Sequence, residues 1–150
     1  MKWSKDNSIL LSKICIFLFA GASVAAVFLF PAVLDGIVRR RGLTVENGRV
    51  YAMASFYSLL APAVTALCFL YRMLKNISRG DIFSGENVQC LRILSWSCFL
   101  AAVICLISAA YYLPFGFLAA MTGFMGLILR VVKNVFAEAV ALKQENDYTI

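Results

Sequence analysis

Charged positions in this chain fall in blocks and leave three long stretches without an ionisable acid or base: Ile14 to Leu34, Val50 to Tyr71 and Ile93 to Leu129. The hydrocarbon core of a bilayer is about 30 Å thick and a helix rises about 1.5 Å per residue, so about 20 apolar residues cross it once. The first two stretches have that length. The third has 37 residues, and near its middle it holds Leu113, Pro114, Phe115 and Gly116. Proline removes a backbone donor and crowds the preceding turn, while glycine tolerates a tight reversal. The stretch therefore reads as a hairpin, with helix three ending near Tyr112 and helix four starting near Phe115. The pattern predicts one all-α, polytopic membrane domain over residues 1–150, with helices at about 9–34, 50–75, 84–112 and 115–143.

Helix four has 15 uncharged residues before Arg130. That length suffices if Arg130 and Lys133 snorkel toward phosphates and Val131, Val132, Val135 and Phe136 stay in the interface. An amino-terminal signal peptide is the rival reading of the first segment, since Ala20-Gly21-Ala22 has a cleavage-like pattern. The apolar run continues to Leu34, too long for a typical signal.

Orientation follows from the positive residues, which concentrate on the cytoplasmic side of membrane proteins. With both termini inside, 10 of the 14 Lys and Arg residues are cytoplasmic and four (Arg39, Arg40, Arg41 and Arg49) are external; the uncharged turn between helices three and four decides for this arrangement. The expected location is the cell membrane, with amino and carboxy termini cytoplasmic. Tyr51, Tyr57, Tyr111, Tyr112, Phe115 and Phe117 fall near the outer boundary, and Phe69, Tyr71 and Trp96 near the inner, as interfacial aromatics do. The external triplet Arg39, Arg40 and Arg41 fits the charge rule poorly. Asp35 stands four residues before Arg39 and is placed to pair with it, leaving the other arginines for lipid phosphates or a receptor-like role.

Composition agrees with a bilayer as solvent: 62% of residues are hydrophobic and 15% charged. It also removes chemistry. There is no histidine, no glycine-rich phosphate loop, no nucleophile with an imidazole base and no close carboxylate pair in an apolar setting, so an enzyme is not expected. Of the five cysteines, Cys98 and Cys105 would share a helix face. Seven-residue spacing is not a metal-ligand pair, and neither metal nor cofactor is expected. No Asp, Glu, Lys, Arg or His lies inside any of the four predicted membrane cores, whereas ion-coupled transporters place one there. An uncharged pore lined by Ser55, Ser58, Thr65, Ser108 or Thr122 is the alternative to hydroxyls that bond to their own helix. The net charge of +6 flanks the helices, where anionic lipid explains it without direct binding of nucleic acid.

Small residues at helical spacing mark seams in lipid. Gly116, Ala119, Gly123 and Gly126 form the clearest stripe; Gly21 with Ala25 and Ala22 with Ala26 form a weaker one. Packing within the chain is the first reading of such stripes, and a homo-oligomer surface the second. Pro62 is expected to kink helix two. In the loop after helix two, Arg79-Gly80-Asp81 reads as a turn, Gly80 as a helix stop and Ser84 as the cap of the next helix. Beyond Arg130, Val131, Val132, Val135, Phe136, Ala139 and Leu142 draw an apolar stripe, so helix four extends past the membrane.

Two segments carry a resemblance: NISRGDIFSGENVQCL, Asn76 to Leu91, and LILRVVKNVFAEAVALKQENDYTI, Leu127 to Ile150. With Gly80, Phe83, Ser84, Glu86, Asn87 and Val88 in the first and Glu145-Asn146-Asp147 followed by Tyr148, Thr149 and Ile150 in the second, the chain resembles a bacterial family of four-helix membrane proteins, domain of unknown function 2975. The resemblance implies the four-helix architecture and, because such genes often neighbour one for a small helix-turn-helix regulator, a cytoplasmic protein partner. The expected docking residues are Phe83, Ser84, Glu86, Asn87, Val135, Phe136, Glu145, Asn146 and Asp147. Arg39, Arg40, Arg41, Arg130 and Lys133 are the expected lipid-headgroup residues. The functional expectation is an interaction or regulatory membrane protein; a small pore or lipid-handling carrier, or an accessory subunit of a larger transporter, are the alternatives.

Overall fold

A computed structural model describes residues 5–41 and 48–148, with side chains over 8–36 and 48–146. The fold is all-α. Helix α1 runs Lys5–Arg41, α2 Gly48–Ser78, α3 Gly85–Ser108 and α4 Pro114–Tyr148. All four are long and apolar enough to cross a membrane.

Three of these helices outlast the apolar runs that announce them. At 37 and 35 residues, α1 and α4 are each more than 50 Å long at about 1.5 Å per residue, well beyond the hydrocarbon core. A change from apolar to charged side chains marks the edge of the oil. It does not end a hydrogen-bonded ladder, because Lys, Arg and Glu are good helix formers. Neither Pro31 in α1 nor Pro62 in α2 ends its helix.

α3 shows the opposite error. It stops at Ser108, four residues before the expected Tyr112. The amide of Ala110 bonds the Ile107 carbonyl and that of Tyr111 the Ser108 carbonyl, so the ladder tightens to i→i+3 bonding and the chain spends residues 109–113 on the reversal. Leu113 precedes a proline, which disfavours helical backbone there, and Pro114 opens α4, where its missing N–H has no partner to lose. The turn is thus longer than the Pro-Phe-Gly signal suggests, and it starts at the helix end rather than at the proline.

The helices stand in a row in chain order. α1 packs on α2, α2 on α3 and α3 on α4, and among the described residues no other pair of helices meets. Stacked Phe30 and Phe56 rings, 3.9 Å between centroids, and edge-on Phe17 and Tyr71, 5.9 Å apart, join α1 to α2. Burial concentrates on α3, the helix with neighbours on both sides: Asn87, Cys90, Leu91, Leu94, Ser95, Ser97, Cys105 and Ser108 are all buried, against only Ile16 and Leu34 on α1. A row leaves two broad apolar faces. Phe28 at 77% and Phe117 at 68% exposure are stable on such faces only in an apolar solvent.

The small-residue stripe of α4 lies against α3. A Cβ built on Gly116 would stand 3.6 Å from Ala109 Cβ, and one on Gly123 3.7 Å from Ala102 Cβ, both ordinary contacts. Ala119 is buried. At Gly126 the added carbon would come within 3.2 Å of Phe99 Cε1 and 3.3 Å of Cys98 Cβ, so a side chain there would need these neighbours to give by a few tenths of an ångström. The stripe on α1 is different. Gly21 has no neighbouring side chain or foreign backbone within 4 Å, and Ala22 and Ala25 are exposed, so that pair forms no seam within the chain.

Candidate functional site

The most organised polar structure sits where the α2–α3 loop meets the ends of three helices. α2 is closed by Gly80, whose φ of +92° is a conformation that side-chained residues avoid. The Gly80 amide bonds the Ile77 carbonyl and the Asp81 amide bonds the Asn76 carbonyl, both at 3.1 Å. α3 is opened by Ser84, in extended backbone, whose hydroxyl accepts from the Asn87 amide at 3.4 Å.

Asn87 holds this loop from inside. It is 0% exposed. Its Nδ2 donates to the carbonyls of Asp81 and Ile82, at 2.9 and 2.8 Å, and its Oδ1 accepts from Asn76 Nδ2 at 3.2 Å. Asn76 also donates to Glu86 Oε2 at 3.2 Å, and Arg72 stands 3.6 Å from the same carboxylate oxygen. One buried side chain thus bonds two loop carbonyls at once. The expectation that Asn87 presents itself to a partner is corrected: its amide is fully used, and no surface remains to touch. Ser84 likewise works as a cap.

Five expected docking residues do reach the surface: Phe83, Glu86, Val135, Glu145 and Asn146. Phe83, 45% exposed, stands 5.6 Å from the Phe136 ring and so links the loop to α4. Glu86 is exposed and held by Arg72 and Asn76. Val135 is 63% exposed. The apolar stripe expected beyond Arg130 divides in two. Val132, Phe136 and Ala139 are half-buried, whereas Val131, Val135 and Leu142, at i, i+4 and i+11, form an exposed ridge on another face. Glu145 and Asn146 are exposed near the end of α4; the side chain of Asp147 lies outside the described residues.

Of the expected headgroup residues, Arg130 lies with its guanidinium carbon 5.8 Å from the centre of the Trp96 ring, a cation–π distance. Lys133 follows one turn later on α4. The side chains of Arg39, Arg40 and Arg41 lie outside the described ones, though the three residues close α1. Asp35 pairs with Arg49 across the α1–α2 connection at 3.0 Å; the side chain of Arg39, the partner expected from sequence, lies outside the described ones.

The opposite end of the row has a smaller polar group, which joins Ser55 and Ser108, candidate pore residues from sequence, to Tyr111, whose part in it sequence reasoning missed. Ser108 Oγ lies 2.6 Å from Ser55 Oγ and 2.8 Å from the Ile104 carbonyl, and the Tyr111 hydroxyl lies 2.9 Å from Ser55 Oγ. These groups border a cleft of about 510 Å³ between α2 and α3. Tyr111 reads from sequence as an interfacial aromatic; only the early end of α3 turns its hydroxyl toward α2. Thr65 and Thr122 instead bond carbonyls of their own helices, Ala61 and Leu118.

A family model described as protein of unknown function, DUF2975, matches residues 41–150. The chain belongs to this family. The DUF2975 match takes in α2, α3, α4 and both quoted segments, and so the whole network around Asn87. No curated protein and no solved structure matches the chain.

Proposed function

We propose that this DUF2975 protein is an interaction or regulatory membrane protein that docks a cytoplasmic protein partner on the face built from the α2–α3 loop and the end of α4. The observation that carries this reading is the exposed ridge of Val131, Val135 and Leu142, each 61–63% exposed, which continues α4 beyond the cations Arg130 and Lys133. Eighteen residues follow Arg130 before the helix ends at Tyr148, about 27 Å of rod, more than the interface needs. Phe83, resting on Phe136, ties that rod to the rigid loop. An amphipathic rod beside a fixed loop suits helix-in-groove recognition. The uneven distribution of positive residues supports both termini, and hence this face, on the cytoplasmic side. The partner favoured by the family resemblance is a small helix-turn-helix regulator.

Capture from gently solubilised membranes tests the reading. The intact chain should retain the regulator, and a chain truncated after Lys133 should lose it. Equal retention by the two forms refutes docking on the α4 ridge.

A further inference from the structure

Arg92, Ser95 and Trp96 of α3 and Arg130 and Lys133 of α4 line a cleft of about 150 Å³. Three cations converge there, and none forms an ion pair with an acid among the described residues. Glu86, six positions before Arg92, is engaged by Arg72 and Asn76 instead. Ser95 does not compensate the charge, since its hydroxyl donates to the Gly126 carbonyl at 2.9 Å. The guanidinium carbon of Arg130 stands 5.8 Å from the centre of the Trp96 ring, and its N–H groups are donors for the oxygens of an anion.

We infer that this cleft binds the phosphate of an anionic lipid headgroup. Depth favours a lipid over a free anion. Arg92 precedes the end of α3 at Ser108 by 16 positions, and Arg130 follows the start of α4 at Pro114 by 16. Both Cα atoms therefore lie about 24 Å from the α3–α4 turn, and long side chains reaching outward bring their charges to the far edge of a core about 30 Å thick. An apolar track leads back from the cleft into that core. Trp96, Leu100 and Val103, at i, i+4 and i+7 on α3, are 60%, 52% and 53% exposed, and Leu127, one turn before Arg130, is 55% exposed. Phosphate in the cleft and acyl chain on the track are two parts of one molecule. Basic pockets between helices at the inner boundary are known as headgroup sites. The site does not depend on the docking proposal, because it uses neither Phe83 nor the Val131 ridge.

Native mass spectrometry of the purified full chain, offered equal amounts of phosphatidylglycerol and phosphatidylcholine, tests the assignment. Phosphatidylglycerol should be retained preferentially. Arg92→Gln, Arg130→Gln and Lys133→Gln should each weaken its retention about fivefold. The paired substitution Lys75→Gln with Arg79→Gln removes two charges from the same end but outside the cleft and should leave retention unchanged. Equal loss in that control, or equal retention of both lipids by the wild type, overturns the site. A third arm adds excess inorganic phosphate. Lipid that stays bound supports the assignment; displacement by phosphate, with phosphate alone raising the unfolding temperature, overturns it in favour of a soluble anion. If a glutamine variant fails to fold, Arg130→Lys keeps the charge and loses the fork, and should still reduce the preference for phosphatidylglycerol.

Discussion

The hydroxyl of Ser95 on α3 donates to the carbonyl oxygen of Gly126 on α4 at 2.9 Å, at a glycine where an added Cβ would crowd Phe99 and Cys98 of α3. Neither residue works alone. Glycine lets the backbones approach, and the approach brings a carbonyl within reach of a buried hydroxyl. Gly126→Ala should destabilise the protein by about 1–3 kcal/mol, because Phe99 and Cys98 must move. Gly123→Ala, with its nearest neighbour at an ordinary 3.7 Å, should change stability by less than about 0.5 kcal/mol. Thermal unfolding in detergent separates the two.

Asn87→Ala removes both donors that serve the Asp81 and Ile82 carbonyls. The expected loss is about 1–3 kcal/mol, concentrated in the loop. Trypsin should cut after Arg79 faster in this variant than in the wild type. Phe83→Ala, at an exposed position, should leave that rate nearly unchanged while weakening capture of the partner.

Gly80→Ala forces a side chain into a φ of +92°. A cost of about 1–2 kcal/mol is expected, although nothing crowds the position. Urea titration of the reconstituted protein measures it, and a neutral result would show that the turn readily adopts another conformation.

At the other end, Tyr111→Phe deletes one hydroxyl and leaves the ring. Hydrogen bonds between membrane helices average about 0.6 kcal/mol, so a loss of about 0.5–1 kcal/mol is expected; Ser55→Ala should cost more, because it loses the 2.6 Å contact with Ser108 as well as the one with Tyr111. A double-mutant cycle checks the coupling. For the exposed Asp35–Arg49 pair, Asp35→Asn should shift stability by less than about 1 kcal/mol.

Helix number, order and type were legible because the solvent dictates them: Ile14 to Leu34 is stable as a helix in oil and has no other way to satisfy its backbone. The positions of the caps were legible too, for Ser84 acts through its hydroxyl and Gly80 through its own backbone, each within a few residues of chain. Illegible was anything requiring two helices at once. The seam of α4 shows which of its residues are small, yet only α3 distinguishes Gly126, where an added carbon would crowd Phe99 and Cys98, from Gly123, which has room. Asn87 reads from sequence as a polar residue in a family motif, with the look of a contact residue; its burial depends on where Asp81 and Ile82 fold back. Tyr111 found Ser55 only because α3 ended four residues early. The cleft of Arg92, Arg130 and Lys133 joins charges 38 positions apart in the chain, from Arg92 to Arg130, and no periodicity links them.

Because, among the described residues, each helix after the first packs on its predecessor and meets no earlier one, the row can be assembled in the order in which it is made. As α2 enters the bilayer its one earlier neighbour is already there, and the same holds for α3 and α4. A closed ring would oblige the first helix to wait, half its surface unmatched, for the last. Here no such delay arises, and every new crossing docks at once on a completed edge.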